Sequence, residues 1–212
     1  MNIKLNFFIF FPRKFERIFK SLYKHKLDYN LNHLQKKGLN LNIVYDIGAY
    51  KGEWSKNLSK RSLKDKKFYL FEANETNEKF LIKSNFKYFL GVLSDSKKEI
   101  KFYSRGLTGD SYYKEQSERY DERYKATITT TTTLDDVVSE NKLEYPNFIK
   151  IDTQGSEIDI LKGSKKTLSS CELLYLETPI IEYNLNSPDL SECIKFLNSI
   201  GFIPYDICEI HH

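Results

Sequence analysis

The sequence predicts an α/β protein built on an open, mostly parallel sheet with helices on both faces. Three observations predict it. From residue 41 onward, short β-branched or aromatic runs alternate with stretches of helical spacing. The alternation repeats at roughly 20–25 residues, the length of a strand–helix unit with a right-handed crossover. Acidic residues recur where predicted strands end, at Asp46, Glu72, Asp152 and Glu177, and Asp95 follows a third strand.

The elements follow in order. Leu41–Ile47 is a buried strand, Glu53–Leu63 a helix and Phe68–Glu72 a second strand. Thr76–Asn85 is a helix with Thr76 as its N-cap and Lys79 and Lys83 outward. Tyr88–Leu93 is a third strand and Glu99–Ser104 a further one. Residues 105–131 read as an insert: polar, with Tyr112, Tyr113, Tyr120 and Tyr124 interspersed and no apolar face until the extended run Thr127–Thr133. An insert of that length suits a lid, with Gly109 of Thr108–Ser111 as hinge and the tyrosines stacking on a sugar ring. Leu134–Val138 opens a helix, Asn147–Ile151 is a strand, Ser156–Leu168 a helix and Leu173–Glu177 a strand. After Pro179, Leu190–Ile200 is a helix with Gly201 at its C-terminal cap, and Phe202–Ile207 is a last strand.

Composition bounds the function. The 212 residues suit one domain (41–212) behind a short basic segment (1–40). Apolar residues at 40% and charged residues at 29% indicate a globular, soluble chain. Cys171, Cys193 and Cys208 are widely spaced without a CxxC pair, which fits reduced thiols in the cytoplasm better than a zinc site or a disulfide framework. Residues 1–40 carry nine Lys and Arg against Glu16 and Asp28, a net +7, which leaves −3 for the rest of a chain of net +4. The body is not basic, which argues against a nucleic-acid groove. No run reaches the ~18–20 apolar residues of a membrane span. Phe15, Ile18, Phe19, Leu22 and Tyr23 share one face of a basic helix. Such a helix suits peripheral contact with an anionic membrane through residues 1–24, or the covering of a sheet end or homo-oligomer interface; the latter is preferred.

Chemistry is expected beyond the carboxyl ends of the strands, where the strand order reverses. The turn Asp46-Ile47-Gly48-Ala49-Tyr50-Lys51-Gly52 follows the first strand. Gly48 permits a positive φ, and Gly52 lets the next helix start close to a ligand. Glu72, about 20 residues on, is placed to accept hydrogen bonds from ribose hydroxyls. Together these indicate a ligand containing adenosine: a nicotinamide cofactor or S-adenosylmethionine. The GxGxxG spacing is missing, and Asp46 would repel a pyrophosphate while attracting an ammonium or a sulfonium. The balance therefore favours S-adenosylmethionine.

Four blocks carry a resemblance: Val44–Gly52, Phe71-Glu72-Ala73-Asn74, Thr133-Leu134-Asp135-Asp136 and Ile149–Gly163. They resemble the FkbM-type methyltransferases, the last block most specifically, over about residues 42–180. Two positions depart from the pattern: Tyr50 stands where Asn is common and Glu75 where Pro often follows. The resemblance implies a Rossmann-like class I methyltransferase fold, S-adenosylmethionine as donor, and O-methylation of a hydroxyl on a sugar, glycan or related small molecule. It implies that Asp46, Gly48, Ala49 and Gly52 line the methionine and ribose, and that Glu72 binds the ribose. It places Ala73, Asn74, Leu93, Ser94 and Asp95 around the adenine, and Asp152 facing the methyl group. No segment after Ile207 suggests a seventh, antiparallel strand.

An acceptor hydroxyl must lose a proton, and the central region holds no histidine: His25 and His33 lie near the start and His211 and His212 at the end. Asp152 is therefore the expected general base, with Glu157 and Glu177 as helpers. Glu157 equally suits a helix-start acid facing the dipole. A third oxygen ligand beside Asp152 and Glu177 is not evident, so no metal is expected. Two other readings stay open, a nicotinamide-dependent oxidoreductase and a catalytically silent nucleoside-binding scaffold.

Overall fold

The structure, a computed structural model, describes residues 26–105, 109–116, 125–180 and 184–208. The basic helix expected within 13–24, Thr108, Tyr120 and Tyr124 lie outside the described residues. The chain divides into two compact units, residues 1–39 with 205–212, and residues 40–204.

In the first unit, α1 (Lys26–Lys36) is joined to the tail. Asp206 accepts from the Lys26 ammonium at 2.8 Å and from Asn30 Nδ2 at 2.9 Å. This corrects one expectation, since Phe202–Ile207 is not a strand. Pro204 lacks an amide donor, and Ile203 is 83% exposed, so neither ladder bonds nor burial hold the segment in a sheet.

The second unit begins with β1 (Ile43–Ile47), α2 (Glu53–Leu58), β2 (Lys67–Glu72), α3 (Glu78–Leu81) and β3 (Lys87–Leu90). β4 (Glu99–Ser104) and β5 (Lys125–Thr130) follow. Then come α4 (Leu134–Glu140), β6 (Phe148–Ile151), α5 (Glu157–Lys162), β7 (Leu173–Leu176) and α6 (Leu190–Ser199). Five strands form one parallel sheet in the order β3-β2-β1-β6-β7. β1, β2 and β6 are buried almost throughout, which is why their sequences read as unbroken apolar runs. The sheet grows one way from β1 to β3 and the other way from β6 to β7. Right-handed crossovers therefore put the linking helices on opposite faces. β4 and β5 pair separately as an antiparallel ribbon, so the expected insert 105–131 includes a strand, β5.

Several helices are shorter than periodicity predicts, for local reasons. The Thr76–Asn85 helix is a 3₁₀ turn, a single α-turn and a second 3₁₀ turn, ended by Asn85 in the left-handed region. Its cap is Asn74, whose side chain accepts the Thr76 N–H, and not Thr76. The Ser156–Leu168 helix stops at Lys162. Asp135 takes the N–H groups of Lys166 and Thr167 at 2.9 and 2.8 Å, which removes them from any helical ladder. α6 ends as expected: Gly201 has φ 92°, and the Gly201 and Phe202 N–H groups return to the Asn198 and Leu197 carbonyls. No helix among the described residues is long and apolar enough to cross a membrane.

Strand order reverses between β1 and β6, so the crevice for a ligand opens there. Ile47 pairs with both Phe71 and Ile151, which brings Gly48, Glu72 and Asp152 to neighbouring strand ends on one rim. Glu177 follows β7 on the same rim.

Candidate active site

The turn after β1 is fixed from both sides. Gly48 and Ala49 donate their N–H groups to the Phe71 carbonyl at 2.9 and 3.0 Å. Gly48 has φ 72°, and a Cβ there would lie 1.9 Å from the Asp152 carbonyl oxygen. Gly48 is required because the end of β6 packs directly on the turn. A Cβ on Gly52 would lie 3.1 Å from Leu70 and 3.6 Å from Leu81. The residue therefore brings α2 close to the sheet, where the sequence had suggested clearance for a ligand. Tyr50 takes φ 51°, a region Asn tolerates better than Tyr, and its N–H donates to Glu72 Oε2 at 2.7 Å.

Glu72 is only 7% exposed. Its other oxygen accepts from the Asn74 N–H at 2.8 Å and from Asn77 Nδ2 at 3.3 Å. Burial pushes the carboxyl above its ordinary value, against the pull of these bonds. Glu72 thus clamps the glycine turn to the turn after β2. Replacing it with alanine leaves three amide donors without this acceptor, and chemical denaturation should register a loss of about 2–4 kcal/mol.

Ala73 is half-buried and Asn74 buried. Asn74 Nδ2 donates to Ser104 Oγ at 2.9 Å and Asp110 Oδ2 at 2.6 Å. β3 ends at Leu90, earlier than expected, and Leu93 and Ser94 turn into the interior. Leu93 bridges Thr132, and Ser94 Oγ lies 3.2 Å from the Tyr112 hydroxyl. Asp95 is paired with Lys98 at 2.7 Å, a contact that holds its carboxyl below the usual range.

Asp46 is fully buried and committed to the protein. Ser55 Oγ donates to Oδ2 at 2.6 Å, and the Lys150 ammonium lies 3.0 Å from Oδ1. Lys150, in the middle of β6, also donates to the Gly48 carbonyl at 2.8 Å and lies 3.5 Å from Asp152 Oδ2. Burial alone would depress its pKa, but the facing Asp46 and Asp152 carboxylates more than offset this and hold it above its ordinary value. Sequence reasoning gave Lys150 no role. A lysine flanked by Phe148, Ile149 and Ile151 in a buried strand was the available signal.

The Asp152 side chain is 35% exposed, and its Oδ1 accepts from Gln154 Nε2 at 3.2 Å. Burial, with the charge and hydrogen bond of Asp152, pushes the Glu177 carboxyl up to about 7. Glu177 therefore holds its proton up to near neutral pH beside the Asp152 carboxylate. Glu157 is 1% exposed and accepts from Thr153 N–H at 3.1 Å and Gly155 N–H at 3.0 Å. Burial raises its pKa despite these bonds. Its carboxylate holds the turn that follows Asp152.

Residues 109–116 of the insert are anchored on this turn. Ser111 Oγ and Asn184 Nδ2 both donate to the Gln154 carbonyl, at 2.9 and 2.5 Å. The Tyr112 and Tyr113 hydroxyls both donate to Asp159 Oδ2, at 3.1 and 2.8 Å. Burial raises both phenols well above the usual value. Glu115 bridges Asn184. The tyrosines thus use their hydroxyls to dock the insert on α5.

Residues 46–204 match the FkbM methyltransferase domain, a span lying within the second unit. The chain belongs to the FkbM methyltransferase domain family. The chain is also similar to solved structures. Methyltransferase FkbM from Methylobacillus flagellatus KT is 21% identical with a TM-score of 0.50, over 76% of this chain and 37% of that one. A precorrin-6y C5,15-methyltransferase from Geobacter metallireducens GS-15 is 14% identical with a TM-score of 0.42, over 77% of this chain and 65% of that one. This chain thus spans less than two thirds of the length of either protein. No curated protein matches it. The fold is Rossmann-like, of the methyltransferase type, as the sequence predicts.

Proposed function

We propose that this FkbM domain transfers the methyl group of S-adenosylmethionine to a hydroxyl of a sugar, glycan or related small molecule. The observation that carries the reading is the placement of Asp152 at the strand-order reversal, beside the glycine turn and next to Glu177 at the end of the adjacent strand. An alcohol is a poor nucleophile at neutral pH without a base, and Asp152 with Glu177 beside it supplies a carboxylate at that rim.

The residues fit the donor. The strand ends carry Asp46, Glu72, Asp152 and Glu177 against the ammonium of Lys150. That excess of negative charge suits a cationic nucleoside without phosphate and opposes the pyrophosphate of a nicotinamide cofactor. Gly48, Ala49, Glu72, Ala73 and Asn74 would border the donor, with Leu93 and Ser94 supporting the adenine side from the interior and Asp95 beside them. When bound, the donor supplies a methyl group already activated by its sulfonium. Asp152 then holds the acceptor oxygen and takes its proton, with Glu177 beside it. Glu157 keeps the 152–156 turn in place without touching the acceptor. The docked insert walls off water and shapes the acceptor side.

Incubation with labelled donor and a panel of saccharides should give label in an alkali-stable methyl ether that depends on Asp152. Label found in an amine or a carboxyl ester would overturn the O-methyl reading. Changing Tyr112 and Tyr113 together to Phe should lower acceptor methylation on the order of tenfold, because the insert loses two bonds to a carboxylate. S-adenosylhomocysteine affinity measured by calorimetry should survive; its parallel loss would make the insert a general structural element.

A further inference from the structure

Lys150 is 4% exposed in the middle of the most buried strand. Ordering and desolvating an ammonium there is unfavourable unless every partner is well placed. Its neighbours come from three elements, and acids from two more act on one of them. From β1, Asp46 Oδ1 lies at 3.0 Å and the Ile47 and Gly48 carbonyls at 3.4 and 2.8 Å. From α2, Ser55 holds the far oxygen of Asp46, and the Trp54 ring lies 5.8 Å from the ammonium. From the end of β6, Asp152 Oδ2 lies at 3.5 Å. Glu177 after β7 faces Asp152, and Glu157 of α5 adds a further negative charge to that group. One cation therefore touches both halves of the site: the turn proposed to carry the donor and the carboxylate proposed to receive the proton.

We propose that Lys150 is a positioning residue, a single buried ammonium that holds the Gly48 carbonyl and sets the charge of the Asp152–Glu177 pair. Asp46 is its counterweight. By engaging Oδ1, Asp46 limits how much of the ammonium's field reaches Asp152. The inference rests on the reading of the pair as the base, but it makes a prediction about the pair that needs no acceptor.

Two variants move the pair in opposite directions. Asp46→Asn leaves the whole ammonium to the Asp152–Glu177 corner, and the ionisation of Glu177 should fall by roughly half a pH unit to one unit. The double change Asp46→Asn with Lys150→Met removes both buried charges together, so no orphan charge is left, and that ionisation should rise by about one unit. Carboxyl-¹³C NMR of Asp- and Glu-labelled protein reads both shifts without substrate. Donor affinity, read with S-adenosylhomocysteine, should weaken about tenfold in the double variant as the Gly48 carbonyl loses its donor. A merely structural lysine would lower the melting temperature and leave the titration where it was. Unmoved titration in a folded variant overturns the proposal, and the Asp46→Asn protein alone decides it should the double variant not fold. Opposite shifts with no methyl transfer to any acceptor would keep the role of Lys150 and sink the O-methyl reading instead.

Discussion

Gly48→Ala is expected to lower stability by about 3 kcal/mol or more, which for a domain of this size is a fall of ~10 °C in melting temperature. The new Cβ would overlap the Asp152 carbonyl at 1.9 Å. That carbonyl has no easy escape. Asp152 N–H is bonded to the Ile47 carbonyl at 3.1 Å, and β1 and β6 are paired in register up to Ile47 and Ile151. Relief therefore requires two central strand ends to part. The positive φ of 72° adds strain for any side chain. Urea denaturation checks the stability. A loss below about 1 kcal/mol would mean that the strand ends separate more easily than this packing implies.

Asp152→Asn is expected to cut kcat by about 10²–10⁴, the usual contribution of a general base, with little change in donor affinity. The substitution keeps shape and the bond to Gln154 while removing the charge. The pH dependence is the sharper reading. In the wild-type protein the rate should rise with pH through about 7, as Glu177 beside Asp152 loses its proton. Stability runs the other way. Ionising Glu177 is harder in the folded protein, so folding stability should fall as pH climbs from the ordinary 4.5 to about 7. Without the Asp152 charge, Glu177 returns toward the ordinary carboxylate range, and that pH-dependent loss should shrink. Retention of full activity in the Asn variant would remove Asp152 as the base.

The sheet was legible because strands buried on both faces read as apolar runs that end in acids, and nothing outside the chain segment competes with that pattern. Glu72 was found by its distance from the turn, since the length of a strand–helix–strand unit fixes that spacing. What those residues touch was not legible. Asp46 looked like a charge offered to a ligand, but its partner Lys150 lies 104 residues away in the sequence and meets it only when β1 pairs with β6. The insert showed no apolar face because its residues 109–116 are held by side-chain hydrogen bonds to Gln154 and Asp159, which leave no periodicity. The broken helices have the same origin: Asp135 captures two distant N–H groups that a local pattern assigns to a continuing helix. Phe202–Ile207 alternates like a strand, yet no partner strand gives its apolar side a face to bury.

The central claim is that the crevice between the Asp46–Gly52 turn and Asp152 binds a cationic nucleoside. Calorimetry of the wild-type protein and its Glu72→Ala variant, each titrated with S-adenosylhomocysteine and with NAD, tests it most directly. Micromolar binding of S-adenosylhomocysteine to the wild type, strongly weakened in the variant, and no heat from NAD are the predicted results. Binding of NAD, or of neither compound, would contradict the account.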